Sequence, residues 1–395
     1  MLIKRILGIF LLLTIIVVGV LWAGAKDLTE FPLINEIVFV TWHEEERGQG
    51  APLTADPADR DMPGQKDAAD GTAHGVVQEE GRLSTAEFSP AEAEMLNREF
   101  AWNYGGKQWT YRLQVPRGTY NHYAGRERLP LLDYNVLAIY VTDPGHKEII
   151  SSLAEAFSDT AAKEGYSLKQ TVEFVLSFVQ SIEYRTDEES KGLEQYTRYP
   201  LETLVDLEGD CKDKSILYAS ILKEMGLGVV LVILPGEPGH MAVGVKGEDL
   251  PGTYYEYQGA RYYYVETTAW GWQIGQIPPD YRNREAIIVP IRPQPLLLHK
   301  WESRSAPNGQ LELVVTVDNL GSAVARQTKV YTFLDVGNDK AYAQQWSEPL
   351  DLKPGSRGIY THYLRVPAGV ETRIVVKIIS DGYLIDKSHS DWFST

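Results

Sequence analysis

An α+β domain followed by a β-sandwich, and preceded by one transmembrane helix, is the architecture this sequence predicts. Three observations point to it. An uncharged run opens the chain, helical periodicity dominates the stretch up to Met225, and beyond Gly226 nearly every apolar run has strand length.

The opening reads Met1-Leu2-Ile3-Lys4-Arg5, and Ile6 to Ala25 then continues for twenty residues without a charge. At helical rise this covers about 30 Å, the thickness of a bilayer's hydrocarbon. Lys4 and Arg5 precede the run, so the positive-inside bias keeps the N-terminus in the cytoplasm and sends the rest across as a single-pass protein of the cell membrane. Ala23-Gly24-Ala25 also fits a signal-peptide cleavage site, but the run exceeds the ~7–15 residues of a signal core, so an uncleaved anchor is favoured. Either way the bulk of the chain is extracytoplasmic.

Residues 26–85 are assigned to a linker. Large apolar residues are scarce from Trp42 to Leu83, and stretches such as Asp56-Pro57-Ala58-Asp59 and Gly71-Thr72-Ala73-His74-Gly75 suit a flexible tether.

The α+β domain is assigned to residues 86–296. Helical spacing is predicted over Pro90–Phe100 and over His146–Lys163, where Ile149, Ile150, Leu153, Ala154 and Phe157 share a face. Ser167–Ile182 follows with Val172, Val175, Leu176 and Val179 as its stripe, and Ser167 with Gln170 as a capping box. A further helix runs from Cys211 to Met225 and stops at Gly226. Strands follow at Val229–Leu234, Met241–Val245, Tyr254–Tyr257, Arg261–Glu266 and Ala286–Val289. Residues 88–141, which include Trp102-Asn103-Tyr104-Gly105-Gly106-Lys107, read as an N-terminal extension placed to cover a cleft. The tyrosines of 254–264 read as strand packing.

Past Pro290-Ile291-Arg292-Pro293-Gln294-Pro295 the helices stop. Leu311–Val317, Lys329–Leu334, Gly358–Leu364 and Thr372–Ile379 are strands separated by Gly- and Pro-bearing turns, so residues 297–395 form a small β-sandwich.

Charge and cysteine content narrow the chemistry. With 38 Lys and Arg against 54 Asp and Glu the net charge is −16, a field that repels phosphate backbones and argues against nucleic acid as a partner. The single cysteine cannot close an internal disulfide or supply a multi-cysteine metal site. No pair of histidines has ligand spacing on one element, so a metal hydrolase is a weak alternative and no cofactor or metal is invoked.

Cys211 lies in Gly209-Asp210-Cys211-Lys212-Asp213, where Asp210 is placed as N-cap and the free N–H groups of the first turn favour a thiolate. The bland reading is a small buried residue packing that turn. His240 opens a short strand after Pro235-Gly236-Glu237-Pro238-Gly239, which sets its ring at the mouth of a cleft. The other seven histidines read as solvent-facing or hydrogen-bonded surface residues. Glu266 closes the strand Tyr262-Tyr263-Tyr264-Val265, and pairing with His240 across neighbouring strands would relieve the cost of burying it.

These segments resemble the transglutaminase-like superfamily, particularly its prokaryotic members. The resemblance rests on Gly209-Asp210-Cys211-Lys212-Asp213 with its helix through Met225, on Gly239-His240-Met241-Ala242, and on Tyr264-Val265-Glu266-Thr267-Thr268. Phe178-Val179-Gln180-Ser181-Ile182-Glu183-Tyr184 and Tyr199-Pro200-Leu201-Glu202-Thr203-Leu204 add to it, and the matches span Ser167 to Pro290. It implies a papain-like transglutaminase core with Cys211 as nucleophile, His240 as general base and Glu266 as orienting acid. The family usually offers Asp where this chain has Glu266, one methylene longer. The last domain resembles the Ig-like sandwiches that follow exported catalytic domains, with Val317-Asp318-Asn319-Leu320-Gly321 as an early strand and turn.

The resemblance implies a membrane-anchored cysteine enzyme acting through a thioester on amide or peptide bonds of a protein or peptide at the cell surface, as a protease, amidase or acyltransferase. The alternative is a catalytically weak or inactive binding and scaffold protein that keeps the fold.

Overall fold

The computed structural model describes residues 94–337 and 340–394, together with the backbone of 38–40, 42–43 and 76–79. The expected membrane helix over residues 6–25 and most of the linker lie outside the described residues. Among the described residues no helix is long and apolar enough to cross a membrane.

The chain is a mixture of helix and sheet. Strands β1 (Val38–Val40), β2 (Trp42–His43) and β3 (Val76–Glu79) come from the segment expected to be a tether, and each pairs with a sheet built by later residues. Residues 95–100, expected to be helical, instead begin strand β4 (Met95–Tyr104), which pairs over ten residues with β5 (Lys107–Pro116) in a hairpin. Leu96 and Phe100 are spaced as on a helix, but Trp102 shares their buried side at strand spacing. Gly105 and Gly106 take the positive φ values, 62° and 74°, that close the turn.

Seven helices follow: α1 (Arg117–Gly125), α2 (Leu137–Thr142), α3 (Lys147–Glu164), α4 (Leu168–Ser181), α5 (Asp187–Lys191), α6 (Pro200–Asp206) and α7 (Cys211–Glu224). The predicted stripe of α3 is buried at Ile150, Leu153, Ala154 and Phe157, and α4 begins in the Ser167–Gln170 capping box. Two very short strands, β6 (Glu183–Tyr184) after α4 and β7 (Glu208–Gly209) after α6, pair in parallel.

Strands β8 (Val229–Leu234), β9 (His240–Lys246), β10 (Tyr254–Tyr257), β11 (Ala260–Val265) and β12 (Ala286–Pro290) build an antiparallel sheet in the order β1-β12-β8-β9-β11-β10-β2. Both of its faces are covered. Leu231, Ile233 and Val243 join the core under the helices, while Val230, Val232, Leu234, Tyr255 and Tyr264 form a second cluster on the other face. This is why β8 reads as an unbroken apolar run although its neighbours are antiparallel. Tyr255, Tyr263 and Tyr264 are fully buried.

The C-terminal part is sandwich-like. Strands β13 (Leu297–Ala306), β14 (Gln310–Asn319), β15 (Ala325–Asp335), β16 (Ala341–Trp346), β17 (Leu350–Leu352), β18 (Arg357–Arg365), β19 (Arg373–Ser380) and β20 (Tyr383–His389) form two sheets. Their orders are β13-β14-β18-β3 and β16-β15-β19-β20, with β17 on β15. Leu313, Val315 and Val317 alternate into a core shared with Val330, Leu334, Val376 and Ile378. Thr142 Oγ1 lies 2.6 Å from Ser322 Oγ, tying α2 to the β14–β15 turn.

Three histidines expected at the surface are instead buried. His146 and His362 are almost inaccessible, and the ring of His299 is tied by Asp386 at 2.7 Å and Ser388 at 2.6 Å. His362 meets Thr332 at 2.7 Å, and the His299 set clasps β13 to β20 across the edge of the sandwich.

Candidate active site

Cys211 is the first residue of α7. Asp210 caps that helix with one carboxylate oxygen, accepting from the backbone N–H of Lys212 at 2.9 Å and of Asp213 at 3.1 Å. Asp213 closes the capping box and is itself held by Arg198, whose backbone N–H and Nη1 each donate to it at 2.9 Å. The guanidinium of Arg198 is fully buried and also donates to Asp206 and Glu208 at 3.1 Å. One cation thus gathers the carboxylates of α6, β7 and α7 behind the nucleophile's turn.

The cap has an electrostatic cost for the sulfur. Burial, and next the neighbouring Asp210 carboxylate, push the Cys211 thiol up to about 12, against the opposing pull of the Met241 backbone N–H and Lys212. The thiolate expected from the helix start alone is therefore not the resting form. The residue that satisfies the helix N–H groups brings a negative charge beside Sγ.

β9 and β11 are neighbours in the sheet, with Val243 opposite Val265. That register brings His240 at the start of β9 to Glu266 just past the end of β11, Nε2 to Oε2 at 2.8 Å. Glu266 is almost wholly buried and accepts from Tyr264 Oη at 2.8 Å and from Thr268 at Oγ1 (2.6 Å) and N (3.1 Å). Burial acts to raise its pKa, but the hydrogen bonds from His240, Thr268 and Tyr264 outweigh it and hold the carboxyl below its ordinary value. Glu266 is thus a buried carboxylate with every bond directed at its charged form.

The imidazole is fixed on its face as well as at its edge. Tyr281 stacks on it with ring centroids 4.2 Å apart and planes 2° from parallel. Arg284 lies over the tyrosine's ring, 5.1 Å from its centroid.

Cys211, His240 and Met241 open together onto a cavity of about 500 Å³. Leu129, Leu131, Val136 and Leu137 give it an apolar wall, so residues of the extension do border the cleft. Asp187, Asp210 and Lys212 also line it. The carboxylates of Asp187, Asp210 and Asp213 lie within 4.8 Å of one another, as in a cation site. The Lys212 ammonium is already among them, bonded to Asp187 and Asp210, and with Arg198 it supplies the positive charge the cluster needs.

Several supporting residues were given no role from the sequence, although Tyr264, Thr268 and Gln180 lie in the motifs quoted for the resemblance. Tyr264 and Thr268 sit two positions either side of Glu266, a strand period that signals a shared face. Gln180 on α4 donates through Nε2 to the carbonyls of Glu266 (2.9 Å) and Trp272 (3.1 Å), a link over more than eighty residues with no local signal. Lys214 is buried on α7, donates to the carbonyls of Ile182 and Thr268, and is pushed down to about 8 by burial.

No protein-family model matches the chain, and no curated protein matches it. Among solved structures, a putative beta-galactosidase from Bacteroides fragilis is similar over 42% of this chain and 28% of its own, at 15% identity and a TM-score of 0.22. Red sea bream transglutaminase is similar over 76% of this chain and 62% of its own, at 9% identity and a TM-score of 0.22. The chain thus spans less than two thirds of either structure, and likenesses this weak carry no argument about activity.

Proposed function

We propose that this chain is a transglutaminase-like cysteine enzyme with a papain-like core, held on the outer side of a cell membrane by its N-terminal helix and acting on protein or peptide carboxamide or peptide bonds. The observation that carries the reading is the 2.8 Å contact between His240 and a buried, ionised Glu266, with His240 and Cys211 facing one cavity. A histidine held at Nε2 presents its other ring nitrogen as the base.

In this reading Cys211 Sγ attacks the carbonyl carbon while His240 takes the thiol proton. Backbone N–H groups at the start of α7, including that of Cys211, donate to the oxyanion. Collapse breaks the C–N bond, and the leaving ammonia or amine takes the proton from the imidazolium, which Glu266 stabilises meanwhile. Water or a second amine then attacks the thioester with His240 as base, releasing acid or new amide and restoring the thiol. Because burial keeps the thiol protonated, proton transfer and attack are expected to be coupled.

The same raised thiol favours a second reading, a weak or inactive binding and scaffold protein of the cell surface. Alkylation of the full chain by iodoacetamide at neutral pH separates the two. In the enzyme, where His240 takes the thiol proton, His240→Ala slows the alkylation of Cys211 and Cys211→Ala abolishes turnover. In the scaffold Cys211 reacts more slowly than free cysteine whether or not His240 is present, and partner binding survives Cys211→Ala.

A further inference from the structure

A second cavity, of about 370 Å³, shares none of its lining with the first. Its walls are aromatic: Tyr104 from the turn of the β4–β5 hairpin, and Trp270 and Trp272 from the loop after Glu266. Trp270 is 57% exposed, so it presents an aromatic face at this cavity.

The floor is made of buried acceptors. Glu173, Ser177 and Gln180, each less than a tenth exposed, stand on successive turns of α4. Ser177 spends its hydroxyl proton on the Phe174 carbonyl at 2.7 Å, and Gln180 spends its amide N–H groups on the carbonyls of Glu266 and Trp272. Ser177 Oγ is left with acceptor capacity, and Gln180 Oε1 has no partner among the described residues. A ligand filling the cavity must therefore bring donors. Those donors need carry no charge, because Lys169 Nζ already pairs with Glu173 at 2.5 Å. The side chains of Asn103 and Gln273 on the rim can both donate and accept.

Aromatic faces for C–H-bearing surfaces, buried acceptors for hydroxyls and a neutral total suit one chemical class. We propose that this cavity binds a neutral saccharide, with a pyranose ring stacked on Trp270 and its hydroxyls donated to Glu173, Ser177 and Gln180. The site stands whether or not Cys211 is catalytic, since Trp270, Glu173 and Ser177 have no part in that chemistry and Gln180 meets it only through the backbone of Glu266.

The test is calorimetric titration of the full chain, in a sugar-free detergent, with cellobiose, N,N′-diacetylchitobiose and, as the cationic control, tetramethylammonium. At least one sugar is expected to bind with a Kd at or below about 1 mM. Trp270→Ala should weaken it at least tenfold, and Trp346→Ala, which removes an exposed tryptophan of the sandwich, should leave it unchanged. Trp270 projects from a loop, so its loss leaves the fold intact. The proposal is overturned if neither sugar binds at about 10 mM, if Trp270→Ala has no effect, or if tetramethylammonium binds more tightly than both sugars.

Discussion

His240 lies between two constraints, with Glu266 2.8 Å from its Nε2 and the ring of Tyr281 flat against its face. Edge and face together leave the imidazole a single orientation. The extra methylene of Glu266, compared with the aspartate the resemblance calls for, is accommodated because Tyr264 and Thr268 fix both carboxylate oxygens.

Glu266→Gln should retain the side chain's size but lose the charge that stabilises the imidazolium. Turnover on a carboxamide substrate is expected to fall about 10⁴-fold, the loss that follows when an orienting carboxylate becomes its amide. Steady-state kinetics would show the loss in kcat with KM little altered; an equal loss from KM alone would contradict the role.

Tyr281→Ala should free the ring of His240 while leaving Glu266 in place, so kcat is expected to drop about 10-fold, in keeping with the steep dependence of rate on positioning. Tyr281→Phe keeps the stacked face and should restore most of it. A structural role alone would make the two variants differ in thermal stability rather than in kcat.

Asp210→Asn preserves an oxygen to cap α7 but removes the charge beside Sγ. With the nearest of the charges that raise the thiol gone, iodoacetamide should alkylate Cys211 several-fold faster at pH 8. In the parent chain with His240→Ala, the rate should climb about tenfold per pH unit from 7 to 10, because the thiol remains mostly protonated below about 12.

Lys214 titrates from an ordinary 10.5 down to about 8 in the fold, so the unfolded chain binds the extra proton between those values. Stability should therefore rise with pH from about 8 to 10.5, by about 1–3 kcal/mol. Denaturant melts across that window should show the rise in the parent and lose it in Lys214→Met.

Arg198→Ala would leave Asp213 and its neighbouring carboxylates buried without their cation. Loss of one partner from such a set costs about 3–5 kcal/mol. Equilibrium unfolding should register it.

Much of this was legible in the chain itself. The spacing of apolar residues marked α3, α4 and the sandwich strands β14, β15, β18 and β19, because burial on one face imposes its period on local sequence. The order Cys211, His240, Glu266 could be read from turn and strand contexts, since a cap, a strand start and a strand end are local features. The hairpin of β4 and β5 escaped the period because Leu96 and Phe100 fit a helix as well as a strand, and only pairing with residues 107–116 decides between them.

What the linear chain determined, then, was which residue types stand at helix starts and strand ends, and hence which chemistry is available. Tertiary structure decided how that chemistry is poised. Burial and the capping carboxylate raised the Cys211 thiol, the β9–β11 register joined His240 to Glu266, and Gln180 reached across from α4 to hold the acid's backbone. Desolvation and hydrogen bonds between distant segments depend on what the folded chain brings near, and no local window of sequence contains that information.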